Sequence, residues 1–199
     1  AATVLAAVLP RPGLAHAGTA EHGPAAAPSA APNGAHGHFA GRVAIPGGRK
    51  LYLECRGAGS PTVVLEAGAG DMADVWSMKP LGRGRAVFPA VARFTRVCAY
   101  DRPGTYMLPV GRSRSAPVAM PRTALDIVVD LRKLLRAAGV PGPYVLVGHS
   151  YGGMVARLFA TTQPRSVAGL VSVDAQNEGF IAAYRRFLSP EQYLAAVLD

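Results

Sequence analysis

Cysteine is nearly absent from this 199-residue sequence, which holds only Cys55 and Cys98. They stand far apart, and no cluster of histidines or carboxylates accompanies them, which excludes a thiolate metal site. Lysine is scarce too: Lys50, Lys79 and Lys133 stand beside 18 arginines. The formal net charge is +9, from 21 basic and 12 acidic residues. The arginines are nevertheless scattered, with loose groups at Arg83-Arg85-Arg93-Arg96 and Arg112-Arg114-Arg122. A nucleic-acid surface would show a tighter basic stripe or a recognisable motif. The charge therefore bears on solubility, and no nucleic-acid partner is expected. The apolar run at residues 1 to 9 is too short for a helix to span a bilayer, so no stable membrane span is expected. Histidine is rare and unevenly placed. His16, His22, His36 and His38 precede residue 39, His149 lies far downstream, and none follows it.

Half of the residues are hydrophobic, and the length allows one domain with a sizeable core. Behind the opening apolar run, Ala15-His16-Ala17 has the small-x-small form of a secretory cleavage site. Residues 1–17 read as a truncated signal peptide, with neither an initiator methionine nor a basic segment ahead of it. An alanine-rich tail is the other reading of the same composition. Residues 18–40, rich in Ala, Pro, Gly and His without periodicity, read as a disordered linker whose histidines are solvated. Export from the cytoplasm follows if the signal-peptide reading holds, and a cytoplasmic location if it does not.

Ordered structure is predicted from near Phe39. Arg42–Ile45 and Lys50–Cys55 flank Pro46-Gly47-Gly48 and read as an antiparallel hairpin. Thr62–Glu66 is a buried-type strand running into Ala67-Gly68-Ala69-Gly70. A loop or short helix over Asp74–Pro80, a helix ending near Phe94 and a strand over Thr95–Asp101 follow. The clearest helix runs from about Arg122 to Ala138. Thr123 and Asp126 form a capping-box pattern, Gly139 fits the position past its end, and Leu125, Val128, Val129, Leu131, Leu134 and Leu135 form its apolar face. Strand Val167–Val173 ends at Asp174. Residues 176–199 read as helical. Strand and helix alternation from Thr62 onward predicts an α/β fold, a mostly parallel sheet with an antiparallel opening hairpin and helices on both faces.

Tyr144-Val145-Leu146-Val147-Gly148-His149-Ser150-Tyr151-Gly152-Gly153 carries the chemistry. A buried-type strand stops at a Gly-x-Ser-x-Gly and a helical pattern begins at once, which is the context of a nucleophile elbow. Gly148 and Gly152 are expected where side chains would collide between strand and helix. The turn presents the Ser150 hydroxyl as nucleophile, and the Tyr151 amide at the new helix start is placed to stabilise an oxyanion.

Together with Val63–Gly70 and Ala99-Tyr100-Asp101-Arg102-Pro103-Gly104, these segments resemble the α/β-hydrolase family over roughly residues 41 to 199. The resemblance implies a partial hydrolase core at 41–175, its last strands missing, and the start of a helical cap or lid at 176–199. It implies Ser150 as nucleophile and the Ala69 amide as second oxyanion donor, Ala67-Gly68 standing where many members carry His-Gly. It implies a small-molecule acyl substrate and no cofactor or metal. In the family the order is Ser, acid, His. Here no histidine follows Ser150, and His149, preceding the nucleophile, belongs to the structure of the turn. Asp174 is either the acid or a strand-end hydrogen-bonding residue. Without further strands, Val167–Val173 would be an exposed apolar edge. The family's strand order also sets the second hairpin strand beside that of Cys98, so the two cysteines are either a cross-strand disulfide or two buried thiols.

Three functions are consistent with these residues. The first is an exported serine hydrolase acting on an ester or related acyl compound, its base supplied by sequence beyond residue 199. The second is a non-catalytic remnant or binding module. The third is a peptidase- or peroxidase-like member of the same fold. Ser150 argues against a dehalogenase, which carries an aspartate at the elbow.

Overall fold

The computed structural model describes residues 4–8, 37–79, 84–177, 179, 182, 186–187 and 189–192. In chain order the strands are β1 (Val4–Val8), β2 (Phe39–Ala44), β3 (Lys50–Arg56), β4 (Thr62–Glu66), β5 (Val97–Tyr100), β6 (Tyr106–Met107), β7 (Gly111–Arg112), β8 (Tyr144–His149) and β9 (Val167–Val173). The helices are α1 (Val87–Val91), α2 (Ala124–Ala137) and α3 (Tyr151–Thr162), with 3-10 turns at Ala73–Ser77 and Pro164–Ser166. Seven strands form one sheet in the order β1-β9-β8-β4-β5-β3-β2. The central β9, β8, β4 and β5 run parallel, and the β2–β3 hairpin joins antiparallel along β5.

Strand alternation divides the core between the two faces. Val64 of β4, Cys98 and Tyr100 of β5 and Leu146 of β8 pack with Leu131, Leu134 and Leu135 of α2 and Val155 and Phe159 of α3. Val63, Leu65, Val97 and Ala99 face the other way, onto Ala73, Trp76 and Phe88. Both faces of β4 and β5 are therefore dry, which is why these strands read as unbroken apolar runs.

Helix α2 starts where its capping box puts it: the Asp126 amide donates to Thr123 Oγ1 at 3.2 Å and the Thr123 amide to the Asp126 carboxylate at 2.9 Å. Its apolar face differs from the expectation at one end. Leu125 is 54% exposed and Ile127 is buried. At 3.6 residues per turn Leu125 lies about 120° round the helix from Leu131, and Ile127 only about 40°.

Two features correct the sequence reading. Residues 106–112, expected as loop, hold the small β6–β7 hairpin. And β9 is not an open edge: β1 pairs with it antiparallel from Val4↔Val173 to Val8↔Gly169. An aliphatic run beside a strand with unmet backbone donors and acceptors satisfies both. The remainder of the expected signal peptide and the linker up to residue 36 lie outside the described residues. Within the expected 176–199 helical segment, residues 182, 186, 187 and 190–192 are helical; Glu178 and most of the others lie outside the described residues. Among the described residues no helix is long and apolar enough to cross a membrane.

Candidate active site

Strand β8 passes into α3 through one residue. Ser150 adopts φ 50 and ψ −123, a conformation that glycine tolerates and side chains resist. Three glycines make this turn possible by absence of Cβ. On Gly148 a Cβ would meet the Gly152 carbonyl oxygen and the Gly153 Cα at 2.5 Å. One on Gly152 would run into the carbonyls of Glu66 and Ala67, and one on Gly153 into the side chain of Ala175. The end of β9 and the residues just after it hold the strained residue in place: the Ser150 amide donates to the Val173 carbonyl at 3.2 Å, and the Gln176 amide donates to the Ser150 carbonyl at 2.9 Å. Serine at a helix start ordinarily caps the helix with its hydroxyl. Here the Ser150 side chain makes no capping hydrogen bond, which leaves the oxygen for chemistry.

Tyr151 is the first residue of α3, and first-turn amides have no partner in the helical ladder. The other expected donor, Ala69, lies in the exposed turn after β4, and its amide donates to no acceptor among the described residues. The packing of Gly152 on Glu66 and Ala67 brings the start of α3 against the start of that turn.

Beneath the turn lies a charged network that the sequence reading did not single out. Glu66, Tyr100 and Arg102 are 2%, 3% and 4% exposed. The Tyr100 hydroxyl donates to Glu66 Oε2 at 2.6 Å, and Arg102 Nη1 donates to Glu66 Oε1 at 2.7 Å and to the Ala67 carbonyl at 2.6 Å. Arg102 Nη2 donates to the Gly68 carbonyl. The guanidinium carbon also stands 5.5 Å from the centroid of the Tyr151 ring. Burial pushes the Glu66 carboxyl up, against the opposing pull of Arg102 and Tyr100. Burial, with Glu66 beside it, holds the Tyr100 hydroxyl well above its usual value, so it donates at any physiological pH. A signal was available: a glutamate ending a buried strand needs a buried cation, and Arg102 follows the neighbouring strand.

Next to it, Asp101 is fully buried and accepts from the Ala73 amide at 3.0 Å and from Arg114 Nε at 2.7 Å. Arg114 stacks 3.6 Å over the Tyr52 ring and bonds Asp74. This pair ties the 3-10 turn to the hairpin rather than to Ser150.

His149 turns to the face of β8 that Val145 and Val147 share, toward the second core. Its ring stands edge-on to Trp76 with centroids 6.5 Å apart, and its Nδ1 is 3.0 Å from where a Gly68 Cβ would be. It forms a wall beneath the turn after β4. Asp174 ends β9 at φ 45, exposed, one residue beyond the carbonyl that receives the Ser150 amide. Cys55 and Cys98 are direct partners across β3 and β5 and form a disulfide with Cα atoms 4.1 Å apart. Of the two readings of these cysteines, the structure takes the bridge.

Residues 63–198 match the family described as the Alpha/beta hydrolase family. A putative carbamate hydrolase, RutD, of Azorhizobium caulinodans is 32% identical over 159 residues, covering 75% of this chain and 54% of that protein. Among solved structures, a putative acyltransferase from Salmonella enterica aligns with a TM-score of 0.58 at 21% identity, over 84% of this chain and 50% of that one. A thermophilic esterase from Thermogutta terrifontis aligns with a TM-score of 0.56 at 24% identity, over 74% and 51%. At these identities the structures speak to the fold alone. The chain spans about half the length, or less, of the curated relatives it matches. With the family match running from β4 to beyond β9, through a sheet whose parallel centre ends in an elbow, the chain belongs to the alpha/beta hydrolase family.

Proposed function

We propose that this chain carries the nucleophile and the oxyanion donors of a serine hydrolase that cleaves an ester or related acyl compound. The observation that carries the proposal is Ser150, strained at φ 50 between β8 and α3 with its hydroxyl unused as a cap. Strain of this kind costs about 1–3 kcal/mol and persists where geometry is needed for a task.

In this reading Ser150 Oγ attacks the acyl carbon and gives its proton to a histidine base. The Ala69 and Tyr151 amides receive the charge that develops on the carbonyl oxygen. Collapse of the tetrahedral intermediate expels the alcohol, which takes the proton back from the histidine. Water then attacks the acyl-serine by the same route and frees the acid. No histidine follows Ser150 in the sequence, and His149 faces Trp76. This reading takes its base from a histidine that is not among these 199 residues, as the family's Ser, acid, His order implies. Asp174, at the end of β9, is the candidate acid within the chain. The putative carbamate hydrolase among the similar proteins carries acyl chemistry in its name and supports this substrate class. The Cys55–Cys98 disulfide supports export, since such bonds persist in oxidising compartments.

Labelling of the full-length protein by a fluorophosphonate probe tests the proposal. Labelling lost in Ser150→Ala is expected. An unlabelled parent, or labelling that survives the substitution, would refute it. The absence of a histidine after Ser150 favours one competitor, a non-catalytic binding module, and an unlabelled but folded full-length protein is its signature.

A further inference from the structure

We propose that Arg102 is a positioning residue for the oxyanion hole, holding both of its donors through one buried guanidinium. The inference rests on the reading of Ser150 as an acyl-transfer nucleophile, and deepens it. A peptide unit is planar and trans, so the carbonyl of one residue and the amide of the next point in opposite directions. Arg102 Nη2 donates to the Gly68 carbonyl. That bond fixes the plane of the Gly68–Ala69 peptide and turns the Ala69 N–H to the side away from Arg102. Nη1 does the same for the peptide before it, through the Ala67 carbonyl at 2.6 Å. The turn carrying Ala69 is exposed, and Arg102 is its anchor from below.

The second donor is held by the same group. The Tyr151 ring lies 5.5 Å from the Arg102 guanidinium carbon, and the Tyr151 amide is the first of α3. Arg102 is in turn aimed by Glu66, whose other oxygen accepts from Tyr100 at 2.6 Å. A guanidinium offers a rigid planar fork of donors, whereas an ammonium is a point charge on a flexible stem. Lysine at 102 would keep the charge beside Glu66 but lose the simultaneous hold on both carbonyls and the guanidinium's place over the Tyr151 ring.

The test compares Arg102→Lys with the parent in the full-length protein. Turnover is counted per serine titrated with a fluorophosphonate, so that misfolded molecules drop out. Substrates are a p-nitrophenyl ester and its thionoester, because amides aimed at an oxyanion discriminate oxygen from sulfur. Loss of one oxyanion donor costs about 100- to 1,000-fold in kcat. A loss of about 100-fold is expected, with KM little changed and the oxo-to-thiono rate ratio collapsing by at least about tenfold. A merely structural role lowers the titre and leaves both per-site values alone; kcat and ratio within about twofold of the parent overturn the proposal while the serine reading stands. If Arg102→Lys does not fold, Tyr151→Leu keeps the backbone amide and removes the ring beneath Arg102. A collapsed ratio then supports the hold of Arg102 on the Tyr151 donor, and an unchanged one overturns that hold. A parent that shows no Ser150-dependent labelling sinks both readings together.

Discussion

Gly152 offers the sharpest check on how the elbow is built. A Cβ there would meet the Glu66 carbonyl carbon at 2.8 Å and stand closer still to the carbonyl oxygens of Glu66 and Ala67. Carbon atoms pack at about 3.5–4.0 Å, so the start of α3 and the end of β4 would have to part by about 0.7 Å or more. The three nearest atoms are all backbone, at the end of β4 and the residue just past it, and no side chain can rotate aside. Overpacking costs about 1–3 kcal/mol, and this site belongs at the upper end. Alanine's better helix propensity returns up to about 1 kcal/mol. Gly152→Ala is therefore expected to lose about 2 kcal/mol, which lowers a urea midpoint by about 1 M for a slope of about 2 kcal/mol/M. The same displacement separates the Tyr151 amide from the turn that carries Ala69. Misplacement by about 1 Å costs on the order of 100-fold in rate, so fluorophosphonate labelling of Ser150 in the full-length protein should slow by about 10- to 100-fold. Gly41→Ala is the control. Its Cβ would meet nothing nearer than the Phe39 ring at 3.5 Å, and it should be neutral or stabilising by about 0.5–1 kcal/mol. A Gly152→Ala protein with the parent's midpoint and labelling rate would refute this account of the turn.

Two further outcomes follow from charge and connectivity. Denatured protein should titrate no thiol without reductant and two with it, because the Cys55–Cys98 bridge is the only cysteine pairing available. Closing a loop of 43 residues constrains the unfolded chain by about 4 kcal/mol, so reduction should lower the denaturation midpoint accordingly, and two thiols without reductant would contradict the structure. Asp130, buried in α2, accepts from Arg49 Nη1 at 2.9 Å and Arg122 Nη1 at 2.7 Å. Burial pushes its carboxyl up, but those two arginines outweigh burial and hold it below the usual value. A depressed carboxylate stabilises the fold above its unfolded pKa of about 3.9, and that contribution is lost as pH falls through the lower folded value. Asp130→Asn should therefore be less stable than the parent by about 2 kcal/mol at pH 7, with a gap that closes below about pH 4. A gap of equal size at pH 3 and pH 7 would remove the ionic explanation.

What could be read from the sequence was local. The α2 start rests on two residues three apart, β9 begins and ends where its apolar run does, and the elbow glycines lie within five residues of Ser150. The misses were non-local. The pairing of β1 with β9 joins residues about as far apart as this chain allows, and nothing in an aliphatic pentapeptide names its partner. Leu125 has the residue type of the buried face but not the angle, and it is exposed. The Glu66–Tyr100–Arg102 cluster was missed for a different reason. Its members stand in separate segments, and their meeting depends on β4 and β5 being neighbours with matched alternation.

Ser150 and Asp174 are the non-glycine residues with positive φ among the described residues, and they bracket one junction. The Val173 carbonyl takes the Ser150 amide, and the Gln176 amide takes the Ser150 carbonyl. The elbow is thus not a self-contained motif that β8 and α3 could build alone; its conformation is held from outside, by the end of β9. Whatever loosens β9, including release of β1 from its far side, relaxes the serine before the sheet comes apart. During gradual denaturation the reactive geometry at position 150 would fade first, while the disulfide-tied side of the sheet at β3 and β5 still stands.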